Sequence, residues 1–273
     1  MTGTATAAGR VLAARPPARS TGVFLALLWR DVVVARHELT TILAQGIMQP
    51  FFLLFVFGRV LTSLGYAQAG YAHVLFPGIV ALTVVLTALQ SSALPLVLDF
   101  SFSREIEDRL LAPIPTALVA IEKIVFAALR ALFAGVLMFP IGALVLGGIP
   151  WRVAGLPLLL AGSVLGALFG AALGMTLGTA ISPAKISTMF ALILTPLLFT
   201  GCTQYPWPSL DRLRWFQVLT AANPLTYYSE TMRAALVPGV PHMYPWLSLL
   251  ALAAAVGVLS WTGLRGFARR AQD

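Results

Sequence analysis

Two polar clusters in this chain hold the residue types that could act on a partner or on a passing molecule. The first is Ser103-Arg104-Glu105-Ile106-Glu107-Asp108-Arg109-Leu110-Leu111-Ala112-Pro113-Ile114-Pro115, set between two long apolar stretches. The second is Asn223-Pro224-Leu225-Thr226-Tyr227-Tyr228-Ser229-Glu230-Thr231-Met232-Arg233, shortly before the last apolar stretch. Acids and bases mixed within one short turn offer charge pairing to another protein. Hydrocarbon cannot hold such a turn, so it must sit at an interface. A third group, Glu122, Lys123 and Arg130, lies inside an apolar stretch. Glu122 and Arg130 fall about two turns apart on one helix face. That pair can line an inner vestibule or join a structural ion-pair network, and the sequence favours neither.

Nothing in the chain has the spacing for bond-making chemistry. There is no G-x-x-x-x-G-K-[ST] phosphate loop and no H-E-x-x-H or Ser-His-Asp pattern. His37, His73 and His242 are scattered, and the single Cys202 excludes an internal disulfide. The expectation is a transport subunit with no catalytic residues, no metal site and no cofactor of its own.

Composition sets the solvent. Hydrophobic residues make up 59% of the chain, charged residues 10%, and mean hydropathy is +0.88. Soluble domains carry roughly 25% charged residues, so lipid is the natural surroundings. The net charge of +8 does not point to nucleic acid. The basic residues sit in short flanks beside apolar stretches, where the preference for cytoplasmic Lys and Arg explains them.

These clusters need elements to hold them, and the chain supplies an all-α polytopic membrane arrangement. Residues 1–20, rich in Ala, Arg, Pro and Thr, predict a disordered basic tail without a signal peptide. Residues 21–273 form a single membrane domain. Thr21 to Glu38 predicts an amphipathic helix lying in the interface, anchored by Trp29 and kept out of the core by Arg30 and Asp31. Six spans follow, near 41–61 (interrupted by Pro50), 73–98, 117–146, 153–181, 186–202 and 245–264. Each approaches or exceeds the roughly 20 residues that cross a bilayer. The fourth carries Gly162, Gly166, Gly170, Gly174 and Gly178, a four-residue repeat that suits close helix packing. With six spans both termini share a side, and the Lys and Arg bias puts that side in the cytoplasm.

The stretch from Thr203 to Val240 is too polar for a span and too apolar for an ordinary loop. It predicts two short helices that dip into the outer leaflet and return. Asn223 caps the second and Pro224 opens it. Tyr205, Trp207, Trp215, Tyr227 and Tyr228 would hold this hairpin at headgroup depth, with Arg212, Arg214 and Arg233 facing exterior water or lipid phosphates. Its expected role is an exterior gate.

The order of these parts, together with Leu28-Trp29-Arg30-Asp31, Arg104 through Pro113, Phe199-Thr200-Gly201 and Asn223 through Arg233, resembles the permease subunit of type-2 ABC exporters. That group includes daunorubicin-type drug exporters and the polysaccharide and teichoic-acid exporters. The resemblance covers nearly all of the chain after residue 20. It implies a second copy of the chain, or a related permease, as partner. It also implies a separate cytoplasmic ABC ATPase dimer that carries ATP and Mg. Trp29, Arg30, Asp31, Arg104, Glu105, Glu107, Asp108 and Arg109 would meet that ATPase. The expected cargo is a drug, lipid or glycolipid moved out of the cytoplasm or inner leaflet. A polysaccharide or teichoic-acid exporter is the alternative. A secondary transporter fits less well, because Asp99 and Glu122 lie at the membrane edge and no internal repeat is visible.

Overall fold

The computed structural model describes residues 46–68, 70–98, 116–181 and 183–270, together with Leu25, residues 28–31 and Val33. The tail 1–20 and the charged turn 104–109 lie outside the described residues. Residues 28–31 are helical, with Trp29 and Arg30 exposed and Asp31 buried.

Eight helices follow among the described residues: α1 (Gly46–Ser63), α2 (Tyr71–Leu98), α3 (Thr116–Leu146), α4 (Leu156–Ala180), α5 (Ile186–Thr200), α6 (Arg214–Ala221), α7 (Pro224–Leu236) and α8 (Pro245–Arg270). A 3-10 turn, Val153–Gly155, leads into α4. The stretch Leu54–Val60 within α1 is wound as a π helix. Four helices and the α4 unit can be compared with the expected spans. α1, α2, α3, the unit Val153–Ala180 and α8 are each long and apolar enough to cross a membrane. The fifth expected span, 186–202, is shorter. α5 ends at Thr200, and its 15 residues reach only about 22 Å at 1.5 Å per residue. The chain turns there because Cys202 takes a left-handed backbone, with φ of 48°. That conformation costs a non-glycine residue about 1–2 kcal/mol.

α2 is the central element. Nearly every side chain from Leu75 to Leu89 is buried, on all sides of the helix. Two prolines, Pro77 and Pro95, are tolerated inside it, as neighbouring helices in a membrane bundle permit. α2 packs most extensively on α4 and then on α3, while α8 packs on α4.

The glycine row of α4 explains how closely these helices approach. A Cβ added at Gly170 would lie 2.7 Å from the Val85 carbonyl oxygen and 2.8 Å from the Ala88 methyl. One added at Gly174 would lie 2.5 Å from the Leu89 carbonyl oxygen, and one at Gly178 would lie 3.0 Å from that of Ala93. Three glycines therefore seat α2, main chain against main chain. The other two seat α7: Gly162 faces Thr231, and Gly166 faces the ring of Tyr228. This is the packing role expected for small residues in lipid, where contact rather than hydrophobic exclusion draws helices together.

Gly170→Leu should lower the melting temperature of the detergent-solubilised protein sharply, since overpacking costs about 1–3 kcal/mol or more. Gly257→Ala is the matched control. A Cβ there meets nothing within 4 Å, and Ala is better than Gly in a helix by up to about 1 kcal/mol. Equal melting temperatures for the two variants would contradict the packing assigned to α4.

A buried carboxylate clasp at the hairpin

The segment between α5 and α8 folds as two short helices joined at Ala222-Asn223, in agreement with the sequence. Asn223 has extended backbone and its side-chain oxygen accepts from the Leu225 amide at 2.9 Å, with Pro224 in the first helical turn. Its amide group donates to the Leu197 carbonyl at 3.1 Å and to the Thr200 hydroxyl at 2.9 Å. One side chain thus caps α7 and ties it to the last turn of α5.

The two short helices have different surroundings. α6 exposes Trp215, Val218 and Leu219, which lie on one face at i, i+3 and i+4. It presents an apolar stripe away from the protein. α7 is enclosed by protein instead: Leu225, Thr226 and every residue from Tyr228 to Leu236 are buried. The expectation that Tyr227 and Tyr228 anchor at headgroup depth is therefore corrected for Tyr228, which is fully buried against the α4 glycines. Tyr227 is partly buried and donates to the Ala221 carbonyl at 2.7 Å. Trp207 is also inward-turned. Its indole donates to the Gln217 carbonyl at 3.1 Å, while the Gln217 amide donates to the Trp207 carbonyl at 3.3 Å. Tyr205 donates to the carbonyl of Phe199. Burial pushes its phenol up to about 12, so it remains a protonated donor at neutral pH.

Arg233 gives the largest correction. It was expected to face exterior water or lipid phosphates, yet it is fully buried, and so is Glu230 one turn before it. The Arg233 Nη1 group donates to Glu230 Oε1. Its Nη2 donates to the Cys202 carbonyl at 3.0 Å and its Nε to the Val74 carbonyl at 3.4 Å. Glu230 Oε1 also accepts from the Trp207 amide at 3.0 Å, and Oε2 accepts from the Met243 amide at 2.9 Å. One acid and one base thereby join five parts of the chain: the start of α2, the turn after α5, the turn before α6, α7 itself and the strap leading into α8. Hydroxyls reinforce the same junction. Ser229 donates to the Gly201 carbonyl at 2.8 Å, Thr226 to the Thr220 carbonyl at 2.7 Å, and Tyr71 to the Gln204 carbonyl at 3.1 Å.

Glu230 lies within the second polar cluster, but the sequence assigns it no role of its own. The available signal was an acid and a base spaced i, i+3 on a helix otherwise made of apolar and hydroxyl side chains. Glu122 is fully buried in α3, and Arg130 is half-buried with its guanidinium 5.4 Å from the Phe126 ring centre. No group of three or more potential metal ligands occurs among the described residues.

The pair is unequal in its response to mutation. Removing either member leaves a buried charge, at a cost of about 3–5 kcal/mol. A stranded glutamate can take up a proton and become neutral, and it keeps two amide donors. A stranded arginine cannot deprotonate. Glu230→Ala should therefore lower the melting temperature more than Arg233→Met. The reverse order in thermal unfolding of the purified protein would show that the carboxylate does not hold the junction.

The arrangement has the marks of a membrane subunit: among the described residues, five helices long and apolar enough to cross a bilayer, a glycine-packed core and a clasped helical hairpin at one end. Comparison with known proteins gives the same answer. Residues 22–237 match the family model described as ABC-2 type transporter. The inner membrane transport permease YadH of Escherichia coli K12 is 26% identical over 218 residues, covering 77% of this chain and 82% of that protein. The YadH protein of Shigella flexneri matches to the same extent. A family match spanning more than three-quarters of the sequence, laid over the helices and the hairpin just described, means that this chain belongs to the ABC-2 type transporters and is a permease subunit.

Proposed function

We propose that the chain is the membrane half of an ATP-driven exporter that moves a hydrophobic or amphipathic molecule outward. Both termini lie in the cytoplasm, α5 completes a sixth crossing together with the residues that flank it, and the hairpin lies on the outer side. A second copy of the chain completes the pathway. A separate ABC ATPase dimer, carrying ATP and Mg, drives it. The chain has no phosphate loop, so the engine must be another protein, and the engine needs a surface on which to push. Trp29, Arg30, Asp31, Arg104, Glu105, Glu107, Asp108 and Arg109 supply that surface. Tyr205, Trp207, Trp215, Asn223, Pro224, Tyr227, Tyr228 and Arg233 belong to the gate, with Glu230 as its anchor. Glu122 and Arg130 remain candidates for the pathway or for an ion-pair network in α3.

The observation that carries the substrate class is a groove of about 750 Å³ beneath the hairpin tip, lined by Phe169, Leu173, Leu192, Pro196, Ala254 and Val258 among others. Its wall is almost wholly apolar, with Thr200 and Asn223 at one end. A groove of this kind suits a greasy or amphipathic molecule better than a hydrated polysaccharide.

Two measurements test this proposal. The purified chain alone should show no ATP hydrolysis, and it should co-purify with an ABC ATPase encoded beside it; hydrolysis by the isolated chain would refute the division of labour. Glu105→Ala combined with Asp108→Ala should leave expression and insertion unchanged. It should cut transport severely, because losing one partner of a desolvated charge pair costs about 2–5 kcal/mol. Full transport by the double variant would remove the turn from the coupling surface.

A further inference from the structure

The last helix carries a pattern that the proposed function uses only in part: Ala254 and Val258 line the apolar groove, while the cationic end beyond them is left over. Leu250, Ala254, Val258, Trp261, Arg265 and Arg269 are all exposed, and their spacings of three and four place them on one stripe of α8. The stripe is apolar up to Trp261 and cationic beyond it. From Ala254 to Arg265 it runs about 16 Å at 1.5 Å per residue, close to half of the roughly 30 Å hydrocarbon core. It therefore has the polarity profile and length of one leaflet.

The arginines at its end have distinct situations. Arg270 donates from Nη1 to the carbonyls of Gly178, Thr179 and Ile181 at 3.1–3.2 Å, and so caps the end of α4, where the helix dipole favours a cation. The Arg265 guanidinium lies 3.8 Å above the Trp261 ring. Stacking folds it back along its own helix, whereas a merely snorkelling side chain would extend into water. Arg269 is exposed at the edge of a cavity of about 510 Å³ between α4 and α8, which Thr176, Thr179 and Thr262 also line. Those three hydroxyls donate to carbonyls within the helices. A hydroxyl oxygen that donates still has acceptor capacity, and the Thr176 and Thr262 hydroxyls lie 3.3 Å apart beside the cavity. The site therefore offers two guanidinium groups for an anion, acceptors for hydroxyl donors beside them, and an apolar track leading away.

We propose that this end of α8, with the threonine-lined cavity, binds an anionic glycerophospholipid. The phosphate lies between Arg265 and Arg269, a hydroxylated headgroup reaches the cavity, and an acyl chain runs along Trp261 toward the apolar groove that Val258 and Ala254 also line. A free phosphate would use the arginines but would have no need of the continuous apolar stripe, which is why the lipid is preferred.

The test uses the full-length protein in mild detergent, titrated with phosphatidylglycerol or phosphatidylcholine and read by native mass spectrometry. Phosphatidylglycerol should be retained preferentially. Each arginine near a charged headgroup is worth about 1 kcal/mol, so Arg269→Ala should weaken phosphatidylglycerol binding about 5-fold and Arg265→Ala with Arg269→Ala on the order of 30-fold. Arg269 is exposed, so its single variant should elute as a folded species even if the double variant does not. Arg265→Lys with Arg269→Lys should keep most of the binding. Equal retention of the two lipids, or unchanged phosphatidylglycerol binding in Arg269→Ala, would overturn the proposal. Displacement of the lipid by millimolar inorganic phosphate would overturn it too, by showing that the apolar stripe contributes nothing.

Discussion

The hairpin end depends on a carboxylate that has been taken out of water. Glu230 is fully buried, and such a group is tolerable only when its oxygens are occupied by donors. Arg233 and the Trp207 amide fill one oxygen, and the Met243 amide fills the other. Arg233 then needs acceptors of its own and finds them at Cys202 and Val74. Each bond satisfies one partner by fixing the position of another segment. A buried ion pair adds little to stability compared with a packed apolar pair. Its effect here is to tie segments together, because the partners of these two side chains come from four other parts of the chain.

Close packing carries that geometry into the membrane bundle. Gly78 in α2 lies directly under the Thr203 carbonyl, so closely that any Cβ there would collide with it, and Gly155 stands in the same relation to the Ala235 carbonyl. The last turn of α7 and the turn after α5 thus rest on backbone, with no compliant side chain between. The α4 glycines extend the same kind of contact to α2 and to the ring of Tyr228. Interfaces this dense transmit displacement, because they have no free volume in which to absorb it.

Much of this could be read in the sequence, for a physical reason. Span boundaries follow from apolar length, and the observed Tyr71–Leu98, Thr116–Leu146 and Val153–Ala180 lie within two residues of expectation at each end. The α7 start was legible because Asn-Pro is a local signal whose meaning does not depend on the rest of the fold. Gly162 through Gly178 pointed to packing, though not to which helices they would receive. Arg233 and Tyr228 were misplaced because the preference rules for arginine and tyrosine describe a side chain facing lipid or water. Those rules fail when a residue turns inward to a partner distant in sequence. Val74 and Arg233 are far apart along the chain, and no periodicity could have joined them. α5 starts at Ile186 as expected and ends at Thr200, two residues before the expected end, where the left-handed turn at Cys202 leaves no mark in a hydropathy pattern. α8 runs past the expected span end at 264 to Arg270, whose guanidinium meets the carbonyls at the end of α4.

α2 then has a particular mechanical position. At its first turns it supplies the Val74 carbonyl to Arg233 and the Gly78 backbone to Thr203. At its other end, after Leu98, the chain proceeds directly to the charged turn at 104–109. From Leu75 to Leu89 the helix is buried on all sides, and it is held against α4 through glycines. A force applied at the turn would reach the clasp along one continuous helix, most of it enclosed by its neighbours. It would not be lost as sliding of α2 against α4, since main-chain contacts leave no side chains to yield. The clasp would respond as a unit, because its five segments share two side chains. The tight α2–α4 seam and the Glu230–Arg233 junction therefore act together: the first fixes α2 against its neighbour through main-chain contacts, and the second fixes its first turns to the hairpin.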